Sequence, residues 1–414
     1  MQKLQKFNRT ELEEIPEGWE IRILEDISEK ISVGIATSTT KYFAETGVPL
    51  LRNQNIKEGY IDTCDLTYIT KEFSKLNSSR ALKEGDVICV RTGNPGQSAV
   101  VTSDMNGWQT FTTLIIRPLK DKIDSYYLSR FLNSITKTKI KSVQAGGSQQ
   151  NLNAGWLSKI YVKLPPLKEQ QKITSILSKV DELIQKTQQI IEQTQRLKKG
   201  LMQNLMNSGK NKFKTYTIME IGENFGDAPF GSQLKTKDYV SFGIPVIQGR
   251  NIQDNRFEWN DKLYISKEKF ESIPRSHCNT GDLIFPKIGT IGKIAILPVV
   301  EGYKTCILST NTMKMSVNPK KANKLYVYYY FCQDNIKKYI IDNSHGSSQP
   351  IFNFTTLKNF KILLPPIDKQ NRICLILQNM DSSIQNQIKY RNLLKSLKKG
   401  LMQQLLTGKI RVKV

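Results

Sequence analysis

The apolar positions that organise the chain lie between Leu164 and Gln203. Ile173, Leu177, Val180, Ile184, Thr187, Ile191, Thr194, Leu201 and Leu205 follow a 4-3-4-3 spacing that only Lys198 breaks. Spacing that averages about 3.5 residues makes one seam along an α-helix. The pattern returns in Ile373, Leu377, Met380, Ile384, Leu394, Leu401 and Leu405, with Gln387 and Arg391 as polar interruptions. Each stretch opens on Leu-Pro-Pro (164–166 and 364–366) and closes on Leu-Lys-Lys-Gly-Leu-Met-Gln (197–203 and 397–403), at a constant offset of 200 residues. Constant register marks a duplicated unit. A helix of about 40 residues spans roughly 60 Å at 1.5 Å per residue. That is too long for one small globule to bury, and it suits two helices that pair as a stiff rod. Gly200 and Gly400 cost about 1 kcal/mol each against alanine, which predicts that two backbones approach closely there.

The blocks between the helices read as strands and turns. In the first, Trp19, Ile21 and Ile23 alternate with polar residues, Val87–Arg91 follows a Gly85-Asp86 turn, and Thr92–Gln97 is glycine-rich. Asp124–Thr138 has a helical apolar face, a polar loop spans 145–153, and Lys159–Leu164 leads into the prolines. The second block repeats this order. Gly243 matches Gly47, Gly281-Asp282 matches Gly85-Asp86, the loop from Ile288 to Lys293 matches the first glycine loop, Lys324–Tyr339 matches the helix, and Gly346–Asn353 matches the polar loop. Turn residues agree because turns restrict backbone angles. Loop side chains differ: Arg52 stands against Gln248, and Gln97 against Lys293. A retained frame with changed tips suits two recognition domains for two targets.

Lys and Arg number 61 against 37 Asp and Glu, a formal charge of +24 spread along the chain. A folded basic surface of this kind suits a polyanion. No stretch approaches 18 consecutive apolar residues, so no membrane span is expected. The first residues have no apolar core of a secretion signal. Six scattered cysteines, with no C-x-x-C pair, predict neither a disulfide framework nor a zinc site and fit a reducing cytoplasm.

Readout of base edges in the DNA major groove needs forked or amide side chains. The loops offer Arg52, Asn53, Asn55, Arg91, Gln97, Gln149, Gln150 and Asn153 in the first block. The second offers Gln248, Arg250, Asn251, Lys287, Lys293 and Gln349. Singly, a loop amide is more often a turn former; the set gains weight because it recurs at equivalent places. Means of catalysis are hard to find. His277 and His345 stand outside any metal-binding pattern, there is no phosphate-binding Walker loop, and no dinucleotide fingerprint follows a strand.

These features together resemble the specificity (S) subunit of type I restriction-modification systems. The resemblance is carried by Gly147–Gln170 and its partner 347–370, by the two Gly-Asp strands with their Gly-x-x-Gly loops, and by Leu-Lys-Lys-Gly-Leu-Met-Gln in both helices. It covers nearly all of the chain. One departure is Asp368-Lys369, where an acidic pair is expected before Gln370. The resemblance implies an α/β (α+β) protein with an internal pseudo-two-fold repeat. Target recognition domains would span 1–163 and 211–363. Helical spacer regions at 164–210 and 364–414 would pair as an antiparallel coiled coil and set the distance between half-sites. The partners it implies are double-stranded DNA, two modification (methyltransferase) subunits and restriction/translocase subunits. S-adenosylmethionine, ATP and magnesium would sit on those partners and no cofactor on this chain. Two rival readings remain at this stage: a divergent stand-alone methyltransferase or nuclease, and a coiled-coil scaffold that reads no bases.

Overall fold

The computed structural model describes residues 15–144, 152–231, 233–253, 255–344 and 350–413. The chain divides into two compact units, Met1–Gln188 with Lys389–Val414, and Gln189–Ile388. The two long helices, Leu167–Asn207 and Ile367–Leu405, each contribute one half to each unit.

In the first unit the two helical halves run antiparallel. Lys398 pairs with Asp181 at 2.6 Å, and Arg391 donates to Gln188 Oε1 at 2.5 Å. Seven residues up one helix thus match seven down the other. Ile173 and Leu177 meet Met402, Leu405 and Leu406 in the core. In the second unit Lys198 meets Asp381, and Lys369 donates to the Ser208 carbonyl at 2.7 Å, which is again antiparallel. Lys198, the break in the seam, is thereby an ion pair, and Tyr329 donates to the other Asp381 oxygen at 2.8 Å. Arg391, a break in the second seam, is likewise used across the pair.

Three expectations about the helices change. The added Cβ of an alanine at Gly200 or Gly400 would meet nothing within 4 Å, so no backbone approaches there. Toward the helix end the deeply buried residues are Met202 and Met206 rather than Leu201 and Leu205. A straight helix turns every 3.6 residues and drifts off a 3.5-residue seam. The Lys324–Tyr339 helix is two, Lys324–Cys332 and Asp334–Asp342, parted at buried Gln333 with φ −70° and ψ 137°. Its first-unit counterpart is a single helix, Ser125–Gln144. The Gln333 carbonyl starts the new helix by accepting from Ile336 and Lys337.

Each unit's β-rich domain has two main sheets. In the first unit Ser28–Val33, Leu114–Pro118, Val87–Cys89 and Ser98–Val100 are antiparallel neighbours. The other sheet joins Phe43–Ala44, Thr67–Ile69, Val48–Leu51 and Gln109–Thr110, the last pair parallel. The second unit repeats both sheets, with Ile244–Ile247 parallel to Thr305–Leu308. Glu20–Ile23 pairs with Tyr161–Leu164, and Lys214–Thr217 with Lys361–Leu364, so the strand entering each domain closes on the strand leaving it.

The shared turn residues have shared causes. A Cβ on Gly47 would lie 2.3 Å from the Ile69 carbonyl oxygen, and one on Gly243 2.3 Å from that of Ile265. The Gly-Asp pairs place a buried carboxylate at each sheet. Asp86 holds Arg117 at 2.8 Å; Asp282 holds Lys314 at 3.0 Å and accepts from Ser316.

Candidate nucleic-acid interface

Two loops come together in each domain. In the first unit the tight turn Asn53–Asn55 lies beside the glycine loop 91–97. The Asn53 amide donates to Thr92 Oγ1 at 2.8 Å, and its oxygen accepts from the Arg91 backbone at 3.3 Å. Gly93 and Gly96, both at φ 87°, let the chain reverse tightly enough for Val90 to bond Gln97. The Arg91 carbonyl then accepts from Leu152, so the segment after the polar loop joins the same rim. Gln97 is half-buried at this rim. Arg52 and Arg91 thus sit on one splinted junction. Arg52 has Asp65 at 3.8 Å, and the Nε of each arginine is buried without a hydrogen-bond partner among the described residues.

The second unit builds the same junction with other side chains. Thr290 donates to the Gly249 carbonyl at 3.4 Å, tying the turn Gly249–Asn251 to the glycine loop. The Lys287 carbonyl accepts from Phe352 at 3.0 Å, as Arg91 does from Leu152. Here the cations are engaged. Lys287 pairs with Asp227 at 2.9 Å, Lys293 donates to Gln253 at 3.3 Å, and Arg250 meets Gln248 Oε1 and Asp261. Gln248 also donates to the Asp261 carbonyl at 3.3 Å. Asp227 and Asp65 lie far from these partners in sequence, so no local pattern announces them.

Two sequence candidates are corrected. Asn55 and Asn251 are buried braces rather than base readers. Asn55 accepts from the Arg52 backbone and donates to the carbonyls of Asp62 and Asp65; Asn251 accepts from Gln248 and donates to those of Glu258 and Asp261. Asn153 caps the helix Ala154–Ser158, its oxygen accepting from Trp156 at 2.7 Å. Gln149, Gln150, Gln349 and His345 lie outside the described residues. His277 stacks on Phe270 with ring centroids 3.7 Å apart and bonds the Phe270 carbonyl, a packing role.

The helix pairs carry a second surface. One residue before each inward position of the seam, the side chain flanks the pair, and in an antiparallel pair these flanking positions of both helices share a side. In the first unit they include Leu183, Tyr390 and Leu397, each close to half exposed; in the second, Ile190, Leu197 and Ile376. Each unit therefore bears an apolar strip outside its own core. No described helix is long and apolar enough to cross a membrane.

Two versions of one loop-bearing domain, each seated on an antiparallel helix pair and tipped differently, define a duplicated recognition protein. The family model for the type I restriction modification DNA specificity domain matches residues 16–196 and again 210–394. The chain belongs to that family, as a specificity subunit with two target recognition domains that is not itself an enzyme. It is 29% identical to a putative type I restriction enzyme MjaX specificity subunit of Methanocaldococcus jannaschii, over 99% of this chain and 98% of that protein. It is 22% identical to the type I restriction enzyme EcoKI specificity subunit of Escherichia coli, over 87% and 81%. Two solved structures share the fold. One, from a study of complex assembly and conformational transition of the type I R-M system, has a TM-score of 0.62 at 17% identity, covering 96% of this chain and 100% of that one. The other is a type I restriction-modification S subunit from M. genitalium, with a TM-score of 0.56 at 14% identity, covering 95% and 97%.

Proposed function

We propose that the first domain reads one half of a split DNA site through Arg52, Arg91 and Gln97, and that the second reads the other half through Gln248, Arg250 and Lys293. The observation that carries this reading is the Arg52–Arg91 junction. Asn53, next to Arg52 in the chain, bonds the Arg91 backbone and Thr92, and the Nε of each arginine has no hydrogen-bond partner among the described residues. A buried donor left unpaired costs about 1–3 kcal/mol. A forked guanidinium matches a guanine edge bidentately. Phosphate contacts from the basic surface supply affinity, and the loop tips supply selectivity.

The apolar strips at Leu183, Tyr390 and Leu397 and at Ile190, Leu197 and Ile376 dock one modification subunit each. Those subunits bring S-adenosylmethionine and methylate adenine. Restriction/translocase subunits bring ATP and magnesium, and the complex works in the cytoplasm. The test is a methylome. A host carrying the complex with Arg91→Ala is expected to methylate sites relaxed at positions of one half-site, with the other half unchanged, since one bidentate contact discriminates by about 1–3 kcal/mol. An unchanged set of methylated sites would remove the role given to Arg91.

A further inference from the structure

The two recognition domains differ in a loop that no motif singles out. After Gly222–Asp227 the second domain runs through residues 228–235 before the turn Thr236–Asp238. After Ser28–Val33 the first domain has only residues 34–39 before Thr40–Tyr42. In the first domain Ile35 turns straight into a core with Leu50 and Ile69. In the second, Leu234 fills the equivalent place against Val246 and Ile265. Before Leu234 this stretch presents Phe230 with 64% of its surface exposed.

This phenylalanine is held rather than loose. Its N–H donates to Gln233 Oε1 at 3.0 Å, and its carbonyl accepts from the Gln233 N–H at 2.7 Å. The Arg275 guanidinium lies 5.3 Å from its ring centroid. At the root of the loop Asp227 accepts from the Ala228 N–H at 2.8 Å and pairs with Lys287, which opens the second glycine loop. The loop is thus bolted to the recognition junction. The Arg275 guanidinium stands beside the ring, and Gln233 bonds the Phe230 backbone. An exposed π-face beside a guanidinium matches a polyanion that carries flat rings.

We propose that Phe230 is a stacking wedge of the second recognition domain, entering a base step of that half-site in duplex DNA while Arg275 supports its ring. Apolar side chains inserted between base steps unstack them locally, and an aromatic face stacks on any base. The corresponding residues 34–39 of the first domain hold no aromatic, so the distortion belongs to one half-site only. This inference rests on the reading of the second domain as a DNA reader.

The test uses the complete complex with its modification subunits and a duplex bearing its methylated site, with 2-aminopurine placed in turn at each position of both half-sites. Binding is expected to change the fluorescence at one step of the half-site read by the second domain. Phe230→Ala should abolish that change and weaken binding about tenfold or more, and Phe230→Trp should keep both. Binding within twofold of the parent, with the fluorescence change intact in Phe230→Ala, would overturn the wedge. Lys293→Ala separates the two readings. If it weakens binding while Phe230→Ala does not, the wedge alone fails; if neither matters, the interface fails and the wedge with it.

Discussion

At the residue scale, the side chains that make the recognition loops are different from those that reach out of them. Asn55 and Asn251 each satisfy one backbone N–H and two carbonyls from inside the turn, and both are at least 98% buried. Alanine at either position takes the partner from one N–H and two carbonyls, all part-buried. At about 1–3 kcal/mol for each unsatisfied group, with partial relaxation, Asn55→Ala should lower stability by roughly 2–4 kcal/mol in chemical denaturation, whereas Gln97→Ala at the rim should cost under about 0.5 kcal/mol. Equal losses would mean that the brace role is misassigned. Glu169 carries a pH-dependent version of the same logic. Burial pushes its carboxyl up, but Arg411 bonded through both carboxylate oxygens, the Val412 N–H and the Trp19 indole together hold it below its ordinary value. A depressed folded-state pKa contributes stability that is full above the unfolded pKa of about 4.3 and is lost as pH falls through the folded value. Thermal melts of Glu169→Gln should accordingly lose stability at neutral pH and show a smaller further loss below pH 4 than the parent. A parallel pair of melting curves across that range would refute the linkage. The departure at Lys369 also has an account here. Its ammonium donates to the Ser208 carbonyl and lies over Phe213 at 5.0 Å, so the second unit uses a cation where the first uses Glu169.

At the element scale, the long helices are continuous and amphipathic, yet each carries a glycine with open space around it. Since a Cβ at Gly200 or Gly400 meets nothing within 4 Å, the change to alanine recovers backbone entropy without a clash. Gly200→Ala and Gly400→Ala should each stabilise the isolated chain by about 0.5–1 kcal/mol. Destabilisation on denaturation would restore the close-approach reading. Much of the element order was legible beforehand, because periodicity and turn glycines are local properties: the repeat, both long helices, the Gly-Asp strands and the glycine loops all follow from spacing. The break at Gln333 was not legible. The tyrosines and Phe331 around it keep an apolar run through Cys332, and what parts the helices is one extended residue whose carbonyl serves the next turn. The inward turn of Asn55 was hidden for a related reason. A loop amide reads the same in sequence whether it faces solvent or bonds Asp62 and Asp65, and only the closed turn decides. Phe230 escaped notice because its exposure depends on Leu234 taking the core place, which is a tertiary fact.

For the whole molecule, the decisive quantity is surplus charge. Many cations are spent inside the fold: Arg117 on Asp86, Lys314 on Asp282, Lys398 on Asp181, Lys198 on Asp381 and Arg411 on Glu169. Each such pair consumes one carboxylate for one cation, so internal pairing leaves the formal excess of +24 intact for an outside partner. If about a quarter of that excess meets phosphates, six contacts release counterions and log K falls against log salt with a slope of roughly −5. Raising salt from about 50 to 200 mM should then weaken specific binding by about a thousandfold. The two kinds of contact separate in the same experiment. Arg91→Ala, aimed at a base edge, should relax sequence preference at its half-site. Lys237→Gln, an exposed cation beside the second domain's turn, should weaken binding to all sequences alike and flatten the slope by about one. A slope near zero for the intact complex would mean that the basic surface does not face DNA, whatever the loops do.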